Sequence, residues 1–319
     1  MARYIDRAVL GGLVPDAGIG PILAGGWIAA ASYVHFRGRE RLAFMRQLAD
    51  HSTFVAPYNV FVYLCSGVPR TPRLDPAHLP ALEPLRAEWR TIRDEAMALM
   101  AGGYVRKPTT HNDLAFNSFY KRDWRRFYLK WYGDFLPSAR ALCPRTVAIL
   151  QDIPSVHAAM FAVLAPRSHL VRHRDPFAGS LRYHLGLATP NSDACRIFID
   201  GEPYAWRDGE AVLFDETYVH RAENRTDEPR IILFCDVERP LRGRLAKAVN
   251  RFAIRHVMRE TVTANVEGEP VGAANRVFER LYEVRLAMKR LKARSRTAYY
   301  ALSYALKIAA AAGLLYLAF

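Results

Sequence analysis

The stretch "HLVRHRDPFAGSLRYHLGL", residues 169–187, alternates apolar and polar side chains as a β-strand does, yet it carries three histidines, three arginines and an aspartate. Histidine and arginine are costly to bury unless something in the interior compensates them. In "LRYHLGL", Leu181, Tyr183, Leu185 and Leu187 fall on one face, and Arg182, His184 and Gly186 on the other. The first face reads as core and the second as the lining of a polar cavity.

Strand-like segments surround it. From about residue 158 to residue 238 the hydrophobic period is two, through "AAMFAVLA", "LRYHLGLA", "CRIFID", "PYAWR", "EAVLFD" and "RIILFCDV". Asp200-Gly201 and Asp208-Gly209 read as hairpin turns. Short strands at this spacing predict an antiparallel double-stranded β-helix, that is, a jelly-roll or cupin-like barrel. Helices flank this mainly β core. "EPLRAEWRTIRDEAMALM" (83–100) places Leu85, Trp89, Ile92, Ala96 and Leu99 on one helical face. The domain so defined runs over 37–240. A basic helical segment follows over 241–296.

Both ends of the chain are apolar. Ala17–Phe36 contains no Lys, Arg, Asp or Glu, and Arg37, Arg39, Arg41 and Arg46 follow at once. Charge behind an apolar helix suits a retained anchor over 1–36 with its downstream side cytoplasmic. A cleaved signal peptide ending at "AAA" (29–31) is the rival reading. Residues 297–319 form a second hydrophobic helix, interrupted by Lys307. It either spans a membrane, lies in the interface with Lys307 snorkelling, or packs on the domain. The chain has 45 Lys+Arg against 31 Asp+Glu. With apolar ends, that excess points to an anionic membrane rather than nucleic acid. Cys65, Cys143, Cys195 and Cys235 form no C-x-x-C and read as free thiols.

The chemistry-bearing pattern is His173-Arg-Asp175, with His220 following a later strand-like run. On an extended strand, i and i+2 point the same way. Two imidazoles and one carboxylate make the facial triad of a non-haem Fe(II) site, leaving positions for a bidentate 2-oxo acid and O₂. Zinc is the alternative metal for the same donors. Ten residues past His220, Arg230 opens the apolar run "RIILFCDV". A buried guanidinium fork suits a carboxylate. The competing reading pairs Arg230 with Asp227, Glu228 or Asp236. The basic aromatic run "YKRDWRRFYLKWY" (120–132) offers Lys121, Arg122, Arg125, Arg126 and Lys130 either as a solvated face or as a lipid headgroup site.

The chain resembles the aspartyl/asparaginyl β-hydroxylase family of Fe(II)- and 2-oxoglutarate-dependent dioxygenases, and within it the bacterial lipid A 2-hydroxylases. The resemblance rests on "HSTFVAPYNVFVYL", "FNSFYKRDWRRFYLKWYGD", "LVRHRDPFAGSLRYHLGLATPN", "WRDGEAVLFDETYVH" and "RIILFCDVERP". It implies His173 and His220 as iron ligands, Arg230 as the anchor of the distal carboxylate of 2-oxoglutarate, and Arg182 and His184 as further cosubstrate contacts. Animal members have glycine where this chain has Asp175, and a serine that helps hold 2-oxoglutarate aligns with Ala162. The implied function is 2-hydroxylation of a fatty acyl chain of lipid A or a precursor, at the cytoplasmic face of a bacterial inner membrane. The alternatives are another lipid such as an ornithine lipid, Asp/Asn side chains of a protein, or a non-catalytic membrane scaffold.

Overall fold

The computed structural model describes residues 19–48, 50–107, 113–116 and 123–305. Lys121, Arg122, Lys307, residues 1–18 and the segment from 306 onward lie outside the described residues.

Among the described residues, ten strands form two sheets. They are β1 (Arg73–Leu74), β2 (Trp124–Trp131), β3 (Val156–Leu164), β4 (Ser168–His173), β5 (Ser180–Ala188), β6 (Cys195–Ile199), β7 (Glu202–Ala205), β8 (Ala211–Phe214), β9 (His220–Asn224) and β10 (Arg230–Glu238). The larger sheet has the order β1-β8-β5-β10-β3-β2 and the smaller β4-β9-β6-β7. The strand pairings are antiparallel, as the alternation predicts. The cavity between the sheets is lined from both, by residues of β2, β3, β5 and β10 on one side and of β4, β6 and β9 on the other.

Asp200-Gly201 makes the expected hairpin between β6 and β7, with φ of 51° and 90°. Asp208-Gly209 does not. It turns the chain from β7 in the small sheet to β8 in the large one, so the tight turn carries a crossover instead of a pairing. The barrel also includes β2, which begins well before residue 158 and forms the edge beside β3.

Among the described residues ten α-helices accompany the strands: α1 (Ile19–Phe36), α2 (Phe44–Leu48), α3 (His51–Phe54), α4 (Ala56–Leu64), α5 (Glu83–Ala87), α6 (Trp89–Ala101), α7 (Pro137–Leu142), α8 (Pro144–Gln151), α9 (Arg244–His256) and α10 (Ala273–Arg294). The run 83–100 breaks into α5 and α6, and Leu85, Ile92, Ala96 and Leu99 are buried as their spacing requires. Because α6 packs on β5, Leu181, Tyr183, Leu185 and Leu187 are covered on the outside while the cavity lies on the inside. Nearly all of β5 is therefore buried on both faces. All four cysteines are free thiols.

Among the described residues, no helix is long and apolar enough to cross a membrane. Helix α1 packs against α4 through Ala30 and Val34. Arg37, just beyond it, pairs with Asp215 at 2.5 Å and stacks between Tyr63 and Tyr218. Asp215 also receives Arg239 at 2.9 Å. These bonds clamp the turn that delivers His220.

Gly186 lies on the cavity face of β5 without contributing a side chain to it. Its carbonyl accepts from Gly209 N–H, and the carbonyl oxygen of Arg207 occupies the space a Cβ would need, 2.0 Å away. This close approach brings Trp206 over the cavity. Gly186→Ala is expected to force the backbones apart and destabilise the fold by about 1–3 kcal/mol in chemical denaturation. An unchanged denaturation midpoint would show that the contact is not a constraint.

Candidate active site

Strand β4 ends at His173, and the extended backbone beyond it turns Asp175 to the same side. Arg174, between them, points away. It is buried, and its Nη1 donates to the carbonyl of Val34 in the last turn of α1 at 2.6 Å. A guanidinium suits that site because the final carbonyls of a helix lack intrahelical donors. His220 opens β9 directly opposite His173 in the strand register, and the two rings are 4.2 Å apart between centroids. The ligand atoms of His173, Asp175 and His220 all lie within 4.8 Å of one another, the one such group of three among the described residues.

Nδ1 of His173 lies 2.7 Å from the carbonyl of Val171, and Nδ1 of His220 lies 2.9 Å from that of Tyr218. A carbonyl can only accept, so each Nδ1 carries the proton and each Nε2 keeps its lone pair for a metal. Burial, reinforced by the neighbouring His173, holds the His220 imidazole down at about 3, and burial lowers His173 as well. Burial pushes the Asp175 carboxyl up. Arg182 and then the two histidines outweigh it and hold the group at about 2. Neutral imidazoles and an ionised carboxylate are the protonation states a divalent metal needs. The donor set fits Fe(II), with zinc accepting the same donors.

Arg182 lines the cavity and is tied there by carboxylates. Its Nε meets Asp236 at 2.6 Å, and its Nη2 meets Asp175 at 3.0 Å and also Glu216. A guanidinium held by three carboxylates positions Asp175, and Arg182 lines the same cavity as His184 and Arg230. Tyr132 donates to Asp236 at 2.8 Å and Ser180 to Glu216 at 2.8 Å. Burial, with the negative charge of Asp236, pushes Glu216 well above the usual carboxylate range. One guanidinium faces three carboxyl groups there, and a proton on Glu216 relieves the excess negative charge.

Arg230 and His184 form the deep wall. Arg230 is buried, with its guanidinium 4.3 Å over the ring of Trp206, and its Nε has no hydrogen-bond partner. None of the acidic partners weighed for it engages it: Asp227 pairs with Arg167 and Asp236 with Arg182. Burial alone lowers it to about 10. His184 has no partner at either ring nitrogen and sits among Phe214, Phe234 and Trp206. Trp206 Nε1 is also unpartnered. Buried polar atoms are rarely left so. Here they converge on one cavity, beside Ala162 and the two histidines of the triad. A carboxylate is the group that would satisfy them.

Of the basic run, only residues 123–132 are described, and there Arg126 and Lys130 do not face outward as a headgroup site. Residues 124–131 form β2, and Arg126 is buried against Asp113 at 3.1 Å. Lys130 donates to the carbonyl of Val156 at 3.0 Å. Arg125, half-exposed, pairs with Asp123. Arg126 and Lys130 are therefore structural, which corrects their assignment to lipid phosphate. Glu216, Tyr132 and Trp206 were not singled out from the sequence, and Asp236 was weighed only as a partner of Arg230, not of Arg182. The alternation Arg230, Ile232, Phe234, Asp236 along β10 is the signal that could have found Asp236.

Residues 86–240 match the model of the aspartyl/asparaginyl β-hydroxylase family. An ornithine lipid ester-linked acyl 2-hydroxylase of Rhizobium tropici is 40% identical over 121 residues, which is 38% of this chain and 43% of that protein. The human aspartate β-hydroxylase domain-containing protein 2 is 32% identical over 133 residues, 39% of this chain and 36% of that one. The human aspartyl/asparaginyl β-hydroxylase is 26% identical over 197 residues, 59% of this chain and 25% of that one. The chain thus spans less than half the length of these curated relatives.

Proton competition supplies a test of the triad. Ordinary imidazoles would weaken metal binding by about tenfold per pH unit for each histidine below pH 6.5. With His220 at about 3 and His173 lowered, the fall in Co(II) affinity measured by titration should begin below pH 6.5. A steep fall beginning near pH 6.5 would contradict the tautomers and burial described. His173→Ala and His220→Ala should each abolish stoichiometric binding while circular dichroism is unchanged.

Proposed function

We propose that this chain, whose residues 86–240 belong to the aspartyl/asparaginyl β-hydroxylase family, is an Fe(II)- and 2-oxoglutarate-dependent hydroxylase of a membrane lipid, acting at C2 of a fatty acyl chain. The observation that carries the cosubstrate reading is the pairing of two features in one cavity. A metal-ligand triad lies at its mouth, and a buried, unpartnered guanidinium and imidazole lie at its base. 2-Oxoglutarate offers a metal-chelating 2-oxo acid at one end and a carboxylate for Arg230 at the other. The metal, when bound, supplies the O₂ chemistry of an acyl C–H hydroxylation coupled to loss of CO₂ from the cosubstrate.

The chain's own residues do the positioning. Val171 and Tyr218 carbonyls orient the two imidazoles, Arg182 fixes and ionises Asp175, and Trp206, Phe214 and Phe234 exclude water around His184. The reading of a lipid acyl chain as substrate is supported by the R. tropici relative, and the net positive charge of the chain suits an anionic lipid at a bacterial inner membrane. Lipid A and an ornithine lipid are the two candidates. Mass analysis of lipid extracts from cells with and without the gene distinguishes them: the hydroxylated species gains one oxygen on an acyl fragment. A gain on a protein Asp or Asn residue instead, with lipids unchanged, would overturn the reading.

Arg230→Ala is expected to raise the 2-oxoglutarate concentration required for turnover. A lost charge-assisted bidentate contact is worth about 2–4 kcal/mol, or roughly thirtyfold to a thousandfold in affinity. Succinate formation measured against 2-oxoglutarate concentration checks this, and an unchanged half-saturation point would remove Arg230 from the cosubstrate site. Asp175→Ala should abolish turnover. Retained activity there would mean that two histidines suffice to hold the iron.

A further inference from the structure

The helices beside the mouth carry a second feature that the cavity does not explain. Large apolar side chains point outward from α1 (Ile22, Leu23, Trp27, Ile28), α2 (Phe44, Met45) and α3 (Phe54). Phe44 is 66% exposed and Phe54 61%. Apolar side chains gathered on one face of a folded chain, rather than scattered singly, mark a contact surface. This one adjoins the metal triad. Arg46 of α2 donates to the carbonyl of Arg172, one residue before His173, at 2.7 Å. Arg174 holds the end of α1, and His51 of α3 lies within electrostatic reach of Asp175.

Helix α9 carries a matching pattern. Ala246, Asn250 and Ile254 are buried at helical spacing. On the outer side, Leu245 (70% exposed) and Phe252 (64%) are seven residues apart, flanked by Arg244, Lys247, Arg251 and Arg255. The helix has no acidic residue. An apolar stripe bordered by long cationic side chains is the pattern of a helix lying in a bilayer interface, with methylene stems in the apolar layer and charges among anionic headgroups. Helix α4 packs against both α1 and α9 and so links the two groups of helices. A second copy of the chain is a poor occupant, because a self-complementary contact through α9 would bring like charges together.

We infer that α1–α3 and α9 form a peripheral docking surface for an anionic lipid bilayer, which sets the mouth of the His173–Asp175–His220 site against the membrane. This rests on the acyl-lipid reading only for its purpose. The docking itself is read from the exposed residues, and it places the headgroup contact on this face rather than on Arg126 and Lys130.

The test is co-sedimentation of the full chain with vesicles of phosphatidylcholine alone and of equal parts phosphatidylcholine and phosphatidylglycerol. The chain should bind the phosphatidylglycerol vesicles more tightly, and salt should weaken that binding. The paired substitutions Phe44→Asp with Phe54→Asp, and Leu245→Asp with Phe252→Asp, should each reduce it by about tenfold or more. None of the four residues belongs to the metal or cosubstrate site, so Co(II) binding and circular dichroism should be unchanged and show that the variants fold. Equal binding to both vesicle types, or binding unaffected by either pair, would overturn the docking surface. So would a concentration-dependent dimer of the unsubstituted chain that the pairs abolish. Hydroxylation of detergent-dispersed lipid separates the two readings. If it persists in variants that still bind vesicles normally, docking fails and the hydroxylase stands. If vesicle binding is lost as expected and no lipid is hydroxylated even by the unsubstituted chain, the substrate reading fails and docking stands.

Discussion

One guanidinium organises the reactive end of the barrel. Arg182 projects from β5 into the space between the sheets and meets Asp236 from β10, Glu216 from the β8–β9 turn and Asp175 from the segment after β4. These come from both sheets and the connections between them. Removing one partner of a buried ionic cluster costs about 3–5 kcal/mol, because the remaining charges are left uncompensated. Asp175 owes both its orientation and its ionisation to this contact. A carboxylate in a cavity this apolar would otherwise tend to hold its proton and lose much of its value as a metal ligand.

A second cluster does for His220 what Arg182 does for Asp175. Asp215, fully buried, is held between Arg37 and Arg239 and bonds Thr217. Arg37 follows α1, and Arg239 follows β10. The turn carrying His220 is therefore tied to the N-terminal helices as well as to the sheet. With Arg174 fixed to the end of α1, the residue between two ligands and the turn before the third both lean on the same helix. The helices ahead of the barrel are part of the scaffold of the site.

Much of this was legible in the sequence. Period-two alternation exposed the strands of the core, and the H-x-D spacing with a distal histidine identified the triad. Arg230 was visible because an arginine has no ordinary reason to open a buried apolar strand. What escaped depended on register. Nothing local in "YKRDWRRFYLKWY" says that Arg126 will find Asp113, or that Lys130 will reach the Val156 carbonyl, so an edge strand looked like a charged surface. Arg182 and Asp236 lie 54 residues apart and meet only because β5 and β10 pair in that register. Asp208-Gly209 carried the composition of a hairpin, but the choice between pairing and crossover belongs to the sheets. Gly186 passed for one more position on a polar face until the Arg207 carbonyl filled its place.

Arg230 also says something about what kind of protein this is. Its charge is desolvated, and where a hydrophobic side chain of similar volume would fill the space more stably, the fold keeps a cation with an unmatched Nε. Folding alone gives no reason for that choice. A chain that used this barrel only as a passive platform would be free to exchange the arginine for leucine or methionine, and would gain stability by doing so. The ligand-free barrel is accordingly less stable than its own architecture allows. A visiting anion at that wall would offset the cost, so occupancy and thermal resistance should rise together.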